Sequence, residues 1–287
     1  MNLKILSPAK VNLFLLVTGK REDGYHDILS LIQPISLYDE IFLEVKDGSG
    51  ITVSTDDAAC PGNRENIASV AAELFLKEAG LKKKVSVKIG KNIPVAAGLG
   101  GGSSDAASVL IGLNGLMDAP LNKKRLMDIA LTIGSDVPFF ILKSPAIVRG
   151  RGEVLEKIKL PRFNYVLINP GFSVSSGWAY GNLDLTKKTK DNIFINSKEF
   201  VDKFLDSPGD MLEYIINDLE AAISSEYPVI KGLEGLLMDA GASAALMSGS
   251  GPTVFGVFSE EARALKAYSG LKNKIRPPLK IFIAGGL

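Results

Sequence analysis

Apolar and polar residues alternate with a period of two in several short stretches of this chain. Ile41, Leu43 and Val45 alternate with polar neighbours, DGSG follows, and Ile51 and Val53 resume the alternation, which predicts a β-hairpin. Leu13 to Val17 is a short apolar run, and Val85, Val87 and Ile89 predict a strand running towards Pro94. Between them the period changes. Ile67, Val70, Ala71, Leu74 and Phe75 recur at helical spacing over 66–79, with Gly80 as the stop. Ala106, Val109, Leu110, Leu113 and Met117 predict a second helix, and a third runs from about Lys123 to Ile133 and ends at Gly134. Ala146–Val148 and Glu153–Leu155 flank RGRG as another hairpin. The second half predicts a strand at Tyr165–Ile168 and helices over about 210–224 and 229–240. Strands at Ala244–Met247 and Val254–Phe258, a helix near 260–270 and a strand at Ile281–Ala284 close the chain. Strands mixed with helices in both halves predict an α+β protein with a boundary around 150–162. Lys82–Lys84 and the polar stretch Lys187–Asn192 read as solvated surface.

Composition narrows the function. The 287 residues suggest about two domains. Hydrophobic residues make up 46% and charged residues 23%, the balance of a globular protein. A net charge of +1 argues against a general nucleic-acid binder. The single cysteine, Cys60, permits no intrachain disulfide and points to a reducing compartment. The N-terminal apolar stretches are broken by Ser7, Pro8 and Lys10, unlike a secretion signal, and no run approaches the roughly 20 apolar residues of a membrane span. The expectation is a cytoplasmic protein. With His26 as the one histidine, two-histidine zinc sites are excluded within one chain. Any Ser-His-Asp or Cys-His machinery would have to use His26.

The stretch PVAAGLGGGSSDAA, residues 94–107, stands between a predicted strand and a predicted helix. No lysine follows the glycines, so it is not a Walker A loop, and Ser103 stands where a G-x-G-x-x-G fingerprint needs its third glycine. The physical requirement for an anion site is still met. Glycines let a backbone approach a bulky anion, and the helix expected to open at about Ser103 or Ser104 directs free N–H groups at it. A serine there would cap the helix or offer its hydroxyl to a phosphate or to Mg²⁺. The alternative is a tight strand–helix connection whose glycines serve packing.

P-x-x-x-G-L-G-G-G-S-S resembles the nucleotide loop of the GHMP kinases. Three further stretches agree in order and spacing: SPAKVNLFLLVTGKREDGYH near the start, GSDVPFF at 134–140, and SGSGPTVFG at 248–256. The tripled glycine and Gly24-Tyr25-His26 are most similar to the branch acting on a cytidine diphosphate derivative of methylerythritol, in the non-mevalonate route to isoprenoid precursors. The resemblance implies a two-domain GHMP kinase fold with the active site in the cleft between domains. It implies a nucleotide-binding domain over 1–155 and a C-terminal domain over 156–287 contributing to the cleft, the last strand being a candidate to pack back on the first domain. It also implies ATP as phosphoryl donor and a small-molecule acceptor, without nucleic-acid or membrane partners. Mg²⁺ is expected from the chemistry of ATP, with no ligand set marked in the sequence.

Roles follow from the resemblance residue by residue. ATP phosphates are cradled by Pro94, Val95, Ala96, Ala97, Gly98, Leu99, Gly100, Gly101, Gly102, Ser103 and Ser104. Ser248–Gly251 brings a second backbone to the cleft, unless it is simply a strand-ending turn. Lys10, on its residues alone a snorkelling surface lysine, becomes the cation that stabilises the transferring phosphoryl group. Asp136, which on its residues alone would cap a helix before Pro138, becomes the general base. Tyr25 stacks on cytosine and His26 bonds its edge. Asn12 and Ser176 complete the acceptor site. Asp105 is either a Mg²⁺ ligand or a helix cap. Rival readings are a GHMP kinase with another small alcohol as acceptor, a catalytically idle ligand-binding member and, remotely, a dinucleotide-dependent oxidoreductase.

Overall fold

Two long strands open the chain, β1 (Asn2–Lys20) and β2 (His26–Asp47), paired with each other and joined by a turn in which Gly24 takes φ +83°. The computed structural model describes residues 1–183 and 198–287, so the Lys187–Asn192 stretch lies outside the described residues. Contacts gather the chain into two compact units that do not follow linear order. One comprises Met1–Ala9, Leu37–Val95 and Gly100–Lys143, the other Lys10–Ser36, Ala96–Leu99 and Ser144–Leu287.

In the first unit, β3 (Gly50–Thr55), α1 (Ile67–Ala79) and β4 (Lys83–Gly90) follow β2. β4 pairs antiparallel with β2, setting Ile41 opposite Ile89 and Leu43 opposite Val87, and parallel with β3, setting Ile51 opposite Val85. The predicted β2–β3 hairpin is therefore incorrect: β4 lies between those strands. Alternation fixes which face a strand buries, not its partner. The crossover through α1 supplies the length a parallel pairing needs. Helix α1 ends where predicted, at Gly80 in the left-handed region (φ +65°), and starts one residue later than predicted because Asn66 is its cap and accepts the Ala68 N–H (2.9 Å). Phe75, Val85 and Ile89 are fully buried, each contributing about 1.5–3 kcal/mol of apolar burial. The helices α2 (Gly101–Leu116), α3 (Lys123–Ile133) and α4 (Val137–Leu142) complete the unit.

In the second unit, β5 (Ala146–Gly150) and β6 (Val154–Lys157) form the predicted hairpin, and β5 pairs with the first part of β2. A four-stranded antiparallel sheet is ordered β10-β7-β9-β8, from β7 (Asn164–Asn169), β8 (Ala244–Met247), β9 (Val254–Phe258) and β10 (Lys280–Gly285). Val166, Ile168, Val254 and Phe258 of this sheet share one apolar core with Ile223, Ile230, Leu233, Leu237 and Leu271 of its helices. At the end of β10 the Gly285 N–H donates to Ser36 Oγ (2.8 Å), and just past it the Leu287 N–H donates to the Pro34 carbonyl (3.0 Å). The helix expected over 210–224 is broken: a 3₁₀ turn covers Leu212–Tyr214 and an α-helix only Glu220–Glu226. The backbone between them bonds to β1 instead. Leu15 N–H donates to the Ile216 carbonyl (2.8 Å) and Asp218 N–H to the Leu15 carbonyl (2.9 Å). Among the described residues, no helix is long and apolar enough to cross a membrane.

Candidate active site

The glycine loop leaves β4 and enters α2 through three left-handed residues, Ala96 (φ +49°), Gly98 (+76°) and Gly100 (+70°). Gly100 occupies the N-cap position and the helix starts at Gly101, without a side-chain cap. The expected start at Ser103 or Ser104 and the serine or Asp105 cap are thus incorrect. Gly100 turns the chain early, so both serines fall within the first helical turn. The loop residues separate by exposure. Ala97, Leu99, Gly101 and Ser104 are buried, and Ser104 Oγ accepts from Ser7 Oγ at 2.8 Å. Pro94, Val95, Ala96, Gly98, Gly100, Gly102 and Ser103 are partly or fully open.

The glycines have different neighbours. A Cβ on Gly98 would lie 2.0 Å from the Ser248 carbonyl oxygen and 2.9 Å from the Gly251 nitrogen. What approaches Gly98 is the other glycine-rich backbone. A Cβ on exposed Gly102 would meet nothing nearer than Ile67 Cδ1, at 3.7 Å. Packing explains Gly98, whereas an open helix start is what Gly102 leaves.

Behind this helix start, Lys91 lies between two buried carboxylates. Its Nζ donates to Asp39 and, at 3.0 Å, to Asp105 Oδ2. Asp39 also accepts the N–H groups of Asn92 (2.7 Å) and Ile93 (2.8 Å), fixing the chain that leads into the loop. Burial opposes the Lys91 ammonium, but the two carboxylates outweigh it and raise its pKa. Burial raises the Asp105 carboxyl to about 7 against the pull of Lys91. Asp105 is thus engaged in this cluster, and its Oδ1 has no hydrogen-bond partner.

In the second unit, Lys10 is buried rather than snorkelling, with 4% exposure, and its Nζ donates to Asn12 Oδ1 at 2.5 Å. Asn12 Nδ2 donates to Ser30 Oγ (2.8 Å), which donates to the Phe14 carbonyl (2.6 Å), so the amide oxygen is directed at Lys10. The Asn12 amide, expected to meet the acceptor, thus also holds the lysine. The Lys10 N–H donates to the Leu99 carbonyl (3.0 Å), Ser248 Oγ to the Gly98 carbonyl (3.0 Å) and the Thr253 N–H to the Ala97 carbonyl (3.3 Å). These bonds join the lysine strand, the turn 96–99 and the 248–253 motif. Ser176 Oγ is 2.8 Å from Ser250 Oγ and so reaches the same motif.

Tyr25 is 53% exposed, with the Arg151 guanidinium 5.2 Å from its ring centre. The His26 ring stacks on Tyr180, centroids 5.2 Å apart and planes 23° from parallel. Burial, then the charge of Lys20, lowers the His26 pKa below 6.5, so the imidazole is neutral at pH 7 with one donor and one acceptor. Asp136, in the first unit, is half-buried before α4 and makes no side-chain cap bond, which removes the capping alternative. Ser30, Tyr180, Arg151, Lys91 and Asp39 did not emerge from the sequence reading. Ser30 had a signal, a polar residue within the apolar run ILSLI. The others are distant in sequence from what they touch. Among the described residues, no three His, Cys, Asp or Glu side chains group as a metal site.

Comparison with known proteins matches the GHMP kinases N terminal domain over residues 66–144 and the GHMP kinases C terminal domain over 197–276. A relative from Syntrophotalea carbinolica, named 4-diphosphocytidyl-2-C-methyl-D-erythritol kinase, is 44% identical over 94% of each chain. A crystal structure of 4-(cytidine 5'-diphospho)-2C-methyl-D-erythritol kinase superposes with a TM-score of 0.80 at 35% identity, covering 99% of this chain and 100% of that one. Homoserine kinase from Cytophaga hutchinsonii superposes at 0.79 with 19% identity, covering 99% and 94%, and shares the fold. With both domain profiles matched and close relatives aligned along nearly the whole chain, this protein belongs to the GHMP kinases.

Proposed function

We propose that the protein transfers the γ-phosphoryl group of ATP to the 2-hydroxyl of 4-diphosphocytidyl-2-C-methyl-D-erythritol, in the non-mevalonate route to isoprenoid precursors. The observation that carries the catalytic reading is the burial of the Lys10 ammonium on a strand hydrogen-bonded to the glycine loop. The acceptor follows the relatives' name and the Tyr25–His26 turn. The acceptor oxygen forms a bond to the γ-phosphorus, the bond to the β-bridging oxygen breaks, and ADP leaves. The hydroxyl proton passes to the Asp136 carboxylate, a contribution typically of about 10²–10⁴-fold. Lys10 neutralises charge on the transferring group, and positioning supplies the remainder.

The open residues of 94–103 receive the ATP phosphates, among them Ser103 in the first turn of α2. Mg²⁺ brought in with ATP would find an oxygen ligand in the Ser103 hydroxyl, in the open first turn of α2. That ion supplies charge neutralisation when bound. Neutral His26 offers a donor and an acceptor to the cytosine edge, which sequence-tolerant stacking on Tyr25 cannot read alone. The linear division into 1–155 and 156–287 belongs to this reading, supported by one family profile falling on each side. A reducing, cytoplasmic setting suits the single cysteine.

The test is ADP release from Mg-ATP with diphosphocytidyl methylerythritol, mevalonate, homoserine and galactose in separate reactions. Turnover with the cytidine compound alone is expected. Turnover with another acceptor overturns the substrate. ATP binding without turnover on any of them favours a ligand-binding role.

A further inference from the structure

From the 3₁₀ turn Leu212–Tyr214 the chain runs into the helix Glu220–Glu226 through the sequence INDLE, residues 216–220, whose side chains carry none of the roles above. Asn217 is 4% exposed and uses its whole amide. Nδ2 donates to the carbonyls of Met247 (2.9 Å) and Gly249 (2.7 Å), and Oδ1 accepts the Leu219 N–H (3.0 Å). Glu220 adds a third tie by accepting the Met247 N–H at 2.9 Å. The same segment grips β1 through the Leu15 and Ile216 backbone bond and through Asp218, whose Oδ2 accepts the Val17 N–H at 2.7 Å. INDLE therefore fixes both the strand that carries Lys10 and Asn12 and the loop that abuts them.

That loop is close to the lysine. Gly249 has φ +55°, and a Cβ there would lie 2.9 Å from Lys10 Nζ and 3.2 Å from Asn12 Oδ1. Any movement of the Gly249 backbone changes the space in which the ammonium is held. We propose that Asn217 is a positioning residue for Lys10, setting the Met247–Gly249 backbone against which the ammonium and the Asn12 amide are placed. This rests on the reading of Lys10 as the cation serving phosphoryl transfer. The short, neutral amide supplies two N–H donors and, beside them, the acceptor oxygen that takes the Leu219 N–H. Asn217→Asp is close in shape but directs a carboxylate at two carbonyl oxygens.

The test is a double-mutant cycle on the full chain, measuring kcat and both KM values with Mg-ATP and diphosphocytidyl methylerythritol, with thermal melts alongside. Asn217→Asp is expected to lower kcat at least tenfold while each KM moves less than threefold. Lys10→Met is expected to lower kcat on the order of 10²-fold or more. In the Lys10→Met background, Asn217→Asp should cost under twofold, since coupled residues are non-additive. Equal losses in both backgrounds, or an unchanged kcat with a lowered melting temperature, overturn the proposal. If Asn217→Asp does not fold, Asn217→Ala replaces it under the same criteria. Failure of both to fold makes Asn217 a folding determinant and overturns the positioning role. Wild-type kcat in Lys10→Met removes the Lys10 reading itself and the proposal with it, an outcome distinct from additivity.

Discussion

Gly98→Ala and Gly102→Ala place the same methyl group on one loop and should have opposite consequences. At Gly98 the added carbon would stand 2.0 Å from one backbone atom and 2.9 Å from another, on a residue with φ +76°. Alanine in that left-handed region costs roughly 1–2 kcal/mol, and forced overpacking typically about 1–3 kcal/mol. The opposing backbone cannot easily withdraw, because Ser248 Oγ, Thr253 N–H and Asn217 hold it. The combined loss of about 2–5 kcal/mol corresponds, at about 2–4 °C per kcal/mol, to a melting temperature on the order of 10 °C lower. At Gly102, inside the first turn of α2, a methyl meets only an ordinary contact at 3.7 Å. Stability should hold, or rise by up to about 0.5–1 kcal/mol from better helix propensity. On the proposed reading, in which the open loop face receives the ATP phosphates, a methyl on exposed Gly102 crowds them, so the KM for ATP should rise on the order of tenfold, the factor given by about 1.4 kcal/mol. Thermal melts without nucleotide and initial rates across an ATP titration measure both effects. A Gly98→Ala variant that melts within 2 °C of the parent, about 0.5–1 kcal/mol, refutes the packing argument. An unchanged ATP KM in Gly102→Ala refutes the reading of the open loop face.

Asp136→Asn should bind both substrates and lose about 10²–10⁴-fold in kcat, the usual contribution of a general base; near-parental turnover removes it from that role. His26→Ala should raise the KM for the cytidine substrate and leave that for ATP nearly unchanged, and an equal rise in both counts against cytosine recognition. As the chain has one histidine, its imidazole proton signal needs no assignment, and an NMR titration should give a pKa below 6.5. The folded pKa is depressed, so the associated stability is present above pH 6.5 and is lost as pH falls towards the folded value. Asp105 has the opposite sign: its raised folded pKa, about 7, favours the protonated form, and stability drains as pH rises from about 4 through 7. Asp105→Asn mimics the neutral carboxyl, so its melting temperature relative to the parent should climb between pH 5 and 8. A difference independent of pH would exclude a neutral Asp105.

By itself the sequence determined the local elements whose signals are local. Asn66 and Gly80 mark the ends of α1, Gly134 follows α3, and RGRG turns the β5–β6 hairpin, because capping and turn chemistry act within a few residues. It also marked the glycine loop, with Lys10, Asp136 and the Tyr25–His26 turn as candidates. Pairing was decided only in three dimensions. β3 and β2 have compatible alternations, yet β4 lies between them, since a period of two names a face and not a neighbour. Tertiary bonding likewise replaced the predicted helix around Asn217, where backbone groups that could have closed helical turns bond to Leu15 of a strand some two hundred residues earlier. The glycines make the same distinction. In sequence Gly98 and Gly102 are alike, but folding sets a second backbone against one and leaves the other open. Composition can say that a loop permits close approach; only the packed chain decides which approaches the protein itself already occupies.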